Sequence, residues 1–181
     1  MANNTANVST GKPKTTGAIF VAPKGTELPT DASSELNVAF KCLGYISEDG
    51  LTNSMPRTNE SVKDWGGNTV EDIQTEADDK FKYKMLESLN EQVLKEVFGD
   101  SNVTVSGTKI SIKKNAKELE EHAYIVEMIL KGNKAKRIVI PSGKIVEIED
   151  VTYVKNAATG YGVTISCHPD TDGNTHYEYI E

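Results

Sequence analysis

Three histidines, His122, His168 and His176, are the first candidates for chemistry. His168 and His176 flank Asp170-Thr171-Asp172-Gly173-Asn174. Across a hairpin, two imidazoles with Asp170 and Asp172 would offer nitrogen and oxygen donors to a divalent metal. The alternative is a surface turn, because Asp-Gly-Asn is what tight turns require. Asp170-x-Asp172-x-Asn174 also matches the opening of a calcium loop. Such a loop needs Gly at its sixth position and Glu at its twelfth, and here these are Thr175 and Glu181. Cys42 and Cys167 both fall in strand-like runs and read as buried free thiols, not as a disulfide framework. The chain has no phosphate-cradling glycine loop, dinucleotide fingerprint, nucleophile elbow or Cys-x-x-Cys. The sequence therefore predicts no enzyme, no cofactor and no catalytic or metal residue.

The clearest element around these residues is Ser88–Gly99. Ser88 and Glu91 have capping-box spacing, Leu89, Val93, Leu94, Val97 and Phe98 share one helical face, and Gly99 closes the run. A helix of twelve residues is marginal alone, so it must dock on something. Nearly everything else reads as short strands separated by turns: Ala18–Ala22, Val38–Leu43, Phe81–Glu87, a hairpin over 102–113, and Tyr124–Leu130 as the most buried strand. Pro141-Ser142-Gly143 reads as a turn between Arg137–Ile140 and Ile145–Glu149. Together these predict a mainly β protein, an antiparallel β-sandwich or barrel with one flanking helix at about 88–99.

With 181 residues, 37% of them apolar and 26% charged, the chain suits a single domain with a modest core. Residues 1–16 hold almost nothing apolar and read as a flexible N-terminal arm. Residues 17–181 then form the domain, with a long loop at about 45–70. That loop carries the one tryptophan, Trp65, beside Gly66-Gly67. Trp65 either tucks under its own loop or anchors a protein interface. Net charge is −7, which argues against phosphate-clamping DNA recognition. The run Lys131, Lys134, Lys136, Arg137 reads as a solvated face or as a subunit salt-bridge patch. No run is apolar enough for a membrane helix, and no membrane partner is expected.

Two segments carry a family resemblance. Gly17-Ala-Ile-Phe-Val-Ala-Pro-Lys-Gly-Thr-Glu-Leu-Pro-Thr and Leu43-Gly-Tyr-Ile-Ser-Glu-Asp-Gly resemble the opening of major tail (tail tube) proteins of long, non-contractile-tailed bacteriophages. Lys63-Asp-Trp-Gly-Gly and the helix ending Val97-Phe98-Gly99-Asp100 are similar too. The resemblance implies a β-sandwich subunit whose copies join into hexameric rings. The rings stack into a tube around a tape measure protein and later conduct DNA into the host. It further implies a virion-tail location after assembly in the bacterial cytoplasm. The implied partners are tail terminator and baseplate or tail-tip proteins, with genomic DNA passing without specific binding. Long loops and terminal arms would bridge rings, which singles out Met55, Arg57 and Trp65 as interface residues. Glu147 and Glu149 are the acidic candidates for the lumen. The competing reading is a carbohydrate- or receptor-binding β-sandwich using Tyr161, Tyr177 and Tyr179. A metal hydrolase built on His168, Asp170 and His176 is a third.

Overall fold

The structure is a computed structural model that describes residues 3–181; Met1 and Ala2, part of the arm read from the sequence, lie outside the described residues. Strands β1 (Lys12–Pro13), β2 (Ile19–Pro23), β3 (Lys41–Cys42), β4 (Ile46–Ser54), β5 (Arg57–Lys63), β6 (Thr69–Ala77) and β7 (Lys80–Met85) precede helix α1 (Glu91–Phe98). After it come β8 (Val103–Ser106), β9 (Lys109–Ile112), β10 (His122–Leu130), β11 (Lys134–Ile148), β12 (Tyr161–Cys167) and β13 (Tyr177–Ile180). Nine strands form one sheet in the order β3-β2-β10-β11-β12-β7-β4, with β1 added to β10 and β13 to β11. Every pairing is antiparallel. β5–β6 and β8–β9 are separate two-stranded ribbons.

β11 organises the sheet. It runs fifteen residues straight through Pro141-Ser142-Gly143, where the sequence predicts a turn. The proline is tolerated because it sits where the ladder changes hands. Its first half pairs with β10 and β13, its end pairs with β12, and the β10 register slips between His122 and Tyr124 opposite it. A residue without an N–H fits such an irregularity. Gly143 is needed beside it, because a Cβ there would meet the Tyr124 ring and the Ile165 side chain at 2.7–3.0 Å.

The sheet folds about β11 so that both halves feed one core. Tyr124, Val126, Ile138 and Ile140 from the first half share a cluster with Ile145, Val163, Ile165, Phe81, Tyr83 and Met85 from the second. α1 closes this cluster with Val93, Leu94 and Val97, and Phe98 meets Tyr161 edge-on at 5.5 Å. The opposite face of β10–β11 is covered as well. Ala123, Ile125 and Val139 pack under the segment 24–40, through Leu28, Leu36 and Phe40. β10 is thus buried on both faces, as its near-continuous apolar run requires.

Three boundaries differ from the sequence reading. α1 starts at Glu91, capped by Asn90, whose side chain accepts from the Gln92 N–H at 2.9 Å. The Ser88–Glu91 capping box does not form, because Ser88 and Asn90 N–H groups are spent in tight turns to Leu86 and Glu87 carbonyls. Leu89 therefore falls outside the helical stripe and is exposed. Val38–Leu43 yields only the two-residue β3, with Val38 in solvent. Most of the stretch read as a loop at 45–70 is paired strand: β4 and β5 run from Ile46 to Lys63 with a break only at Met55-Pro56. No face of β5 is buried, so the two-residue alternation that signals a strand is absent.

Candidate functional site

β4–β7 and β5–β6 are two stages of one hairpin. The first stage belongs to the sheet, and the second stands off the domain as an arm. Every residue of β5 and β6 is exposed. Val62 and Ile73 share one face of the arm, since Val62 pairs with Glu71 and Glu60 with Ile73. The arm carries Arg57 and Lys63 against Glu60, Asp64, Glu71, Asp72 and Glu76, so it is acidic.

The tip is a built turn. The Asp64 carboxylate accepts from the Asn68 N–H at 2.8 Å and from the Asn68 side chain at 3.0 Å. These bonds, the Asn68 side chain first, hold the Asp64 carboxyl below its ordinary range. Gly67, at φ 85°, donates to the Asp64 carbonyl at 3.0 Å in a conformation that disfavours other residues. The turn holds Trp65 entirely in solvent, at 106% relative exposure. The ring does not tuck under its own loop. Met55 and Arg57, at the arm's root, are exposed too.

The root itself is locked. Asp79 is buried between β6 and β7, and it accepts from Asn53 (2.8 Å), Thr175 (2.6 Å) and His176 Nδ1 (2.5 Å). The other end of the β4–β7 ladder borders a cleft of about 1050 Å³. One wall is β1 and the segment leading into β2; the other is Gly44–Leu51.

The remaining sheet face, on β4-β7-β12-β11, is polar. Thr52, Lys82, Thr164 and Glu147 are cross-strand neighbours, as are Ser54, Lys80, Ser166 and Lys144. Glu147 accepts from the Thr164 hydroxyl at 3.1 Å, and Glu149 pairs with Lys82 at 2.7 Å. The two glutamates thus share their surroundings with lysines and do not form an isolated acidic patch.

The histidines are not brought together. His168 donates to Glu121 at 2.9 Å, His176 to Asp79, and His122 lies 3.0–3.1 Å from both oxygens of the buried Glu96. Asp170 accepts from the Asp172 and Asn174 N–H groups and, at 2.5 Å, from the Tyr177 hydroxyl. Its carboxylate is therefore occupied by its own turn. Among the described residues no group of three or more ligating side chains could hold a metal ion. Burial pushes the Cys167 thiol up to about 12, so it stays protonated and unreactive at neutral pH. Cys42 and Cys167 are both free. Of the three tyrosines, Tyr161 is in the core, while Tyr177 and Tyr179 stack on each other at 6.4 Å against the second cluster. They do not form one platform.

The sequence reading missed the pair Glu127–Arg137. Arg137 is 1% exposed rather than part of a solvated basic face. Its guanidinium reaches Glu127 at 2.5 Å and the Ser34 carbonyl at 2.7 Å, tying the 24–40 segment to the sheet. The available signal was symmetry: both residues lie five positions from Gly132, so the hairpin sets them opposite each other.

The geometry is thus a bent antiparallel sheet from which a bare, turn-capped arm projects. The phage tail tube protein family matches residues 1–181, the whole chain, and the chain belongs to that family. It is accordingly a structural component of a phage tail, part of a multi-subunit tube built with other tail proteins. A solved chain of the anti-feeding prophage cap, the tube-terminating cap, is similar over 100% of both chains, with 7% identity and a TM-score of 0.46. No curated protein matches the chain. No helix among the described residues is long and apolar enough to cross a membrane.

Proposed function

We propose that copies of this chain self-assemble into hexameric rings that stack into the tail tube of a phage with a long, non-contractile tail, the conduit for DNA delivery into the host. The observation that carries this reading is the β5–β6 arm, a ribbon in which every strand residue is exposed. An isolated two-stranded ribbon is at best marginally stable in water, so such an arm needs a second surface. Met55, Arg57 and Trp65 lie along it and are the ring-to-ring contacts in this reading. The free edges of β3 and β4, at the two ends of the sheet path, supply main-chain groups for pairing within a ring.

The polar face bearing Glu147 and Glu149 is the candidate lumen wall. Its lysines are partly matched by carboxylates, Lys82 by Glu149 and Lys80 by Asp78, which weakens its grip on passing phosphates. The tube polymerises in the bacterial cytoplasm around a tape measure protein and ends at terminator and tip proteins. DNA then passes without specific binding.

Negative-stain electron microscopy with sedimentation velocity on the purified full chain tests this. Rings or hollow tubes support it, and a chain that remains monomeric at high concentration contradicts it. Deletion of 57–77 separates the two contacts: rings survive and stacking is lost.

A further inference from the structure

We propose that the cleft between the N-terminal strands and the first half of β4 receives the Trp65 tip of the arm of a second copy, so that copies join head to tail. This rests on the tail-tube reading and names the contact that reading leaves open. The first observation is placement. β4 begins at the cleft and ends at the arm's root: Ile46 pairs with Met85 at one end of the ladder and Ser54 with Lys80 at the other. A copy displaced along this ladder therefore brings its cleft toward its neighbour's arm. Tip and cleft are different surfaces, so the contact is heterologous, and repeated by displacement along one direction it continues as an open stack.

The second observation is fit. The cleft is lined by the half-buried apolar side chains of Ile46, Leu51 and Met128, with Ile19 and Val126 buried beneath them. Its volume of about 1050 Å³ holds far more than one indole ring. From Met55 to Trp65 the arm reaches roughly 33 Å at ~3.3 Å per residue, whereas the Ile46–Leu51 part of the wall spans only the Met85–Tyr83 step of its partner, roughly 7 Å by the same rise. An arm of that reach carries its tip well clear of its own root, toward the cleft of a neighbouring copy. The third observation is the wall itself. The β4–β7 register jumps from Ile46↔Met85 to Leu51↔Tyr83, which leaves residues 47–50 off the ladder beside the cleft. The Asp49 N–H there turns to the Ser47 hydroxyl at 3.5 Å, a weak local bond that an incoming strand can replace.

The rim is mixed in sign. Lys12 and Lys14 stand on one side and Glu48, Asp49 and Glu87 on the other, with Lys14 held by Glu127 at 3.1 Å. Charge therefore does not select the acidic arm, and the apolar wall with the fully exposed Trp65 ring does. Trp65 is the residue type most enriched at such anchor points.

Cys42 lines the cleft and gives a native reporter. Trp65→Cys in the assembled full chain, treated with a short bismaleimide, is expected to give covalent dimers and longer ladders on a denaturing gel. Adding Cys42→Ala should abolish them, and dilution to monomer before treatment should do the same. Because Trp65 is itself the anchor, Lys63→Cys with Trp65 kept is the second reporter, expected to give the same ladder. Tubes that form normally but show no ladder through Cys42 with either reporter overturn the docking and leave the tube reading standing. A wild-type chain that never assembles overturns both.

Discussion

β10–β11 and β5–β6 are both long antiparallel ribbons closed by short turns, yet one is covered on both faces and the other on neither. In β10–β11 the inner face carries Tyr124, Val126, Ile138 and Ile140, and the outer face carries Ile125, Val139 and the Glu127–Arg137 pair. In β5–β6 the cross-strand pairs include Ser61 with Asp72 and Val62 with Glu71, and every strand residue lies in solvent. Main-chain pairing is common to both, so it does not set them apart. Covered apolar area does, at ~25 cal/mol per Å². The bare ribbon keeps its shape through its root and its tip. Asp79 fixes the first and Asp64 the second, and that leaves the faces between them free for another subunit.

The largest expected effect is in the covered ribbon. Arg137→Ala leaves the buried Glu127 carboxylate without its main partner and costs roughly 3–5 kcal/mol in urea unfolding. Replacing both members with apolar residues should recover most of that loss, since the pair's attraction only offsets its desolvation. Next is Ile125→Ala, which opens a cavity under the 24–40 segment and should cost roughly 2–5 kcal/mol in the same measurement. If either variant unfolds like the wild type, coverage is not what distinguishes the two ribbons.

A smaller, pH-dependent effect sits where the chain enters β10. Hydrogen bonds to Glu121, from Lys24 first and then Ser142 and His168, lower its pKa to about 2 from an ordinary 4.5. A folded-state pKa below the unfolded one stabilises the fold above 4.5, and that contribution is lost as pH falls from 4.5 toward 2. Glu121→Gln should flatten the acid limb of stability against pH across that window. His122 has the opposite sign. Its hydrogen bond to Glu96 raises its pKa above 6.5, so its contribution is full below 6.5 and fades as pH rises through the raised value.

The smallest expected effect is in the arm. Ile73→Ser or Val62→Ser should change monomer stability by no more than ~0.5 kcal/mol, because neither side chain is covered. The same variants should weaken assembly measured by sedimentation. A large loss of monomer stability would mean that the arm belongs to the domain's own cooperative unit.

Much of the fold was legible in the sequence, for a physical reason. Tyr124–Leu130 is apolar on both faces, and only a doubly covered strand tolerates that. Val93, Leu94 and Val97 recur at helical spacing because one face of α1 is buried. What escaped has equally definite causes. Ser88 and Asn90 are both good caps, and which one acts depends on the turns that Leu86 and Glu87 make before the helix. Pro141 punctuates a strand only if its missing N–H is needed, and the hand-over from β13 to β12 removes that need. β5 hides from any pattern because periodicity records burial within one chain. Trp65 showed in the sequence as a residue out of place in a polar loop, and the structure adds that it is presented and not tucked away.

Trp65 is the chain's one tryptophan, so intrinsic fluorescence reports on it alone. The most direct test of the account is the emission of this residue, and its quenching by acrylamide, followed as the full chain assembles with sedimentation confirming the state. The account predicts solvent-like, readily quenched emission from the monomer, and a shift to shorter wavelength with strong protection in the assembled tube. Tubes in which Trp65 remains as red-emitting and as quenchable as in the monomer would contradict it.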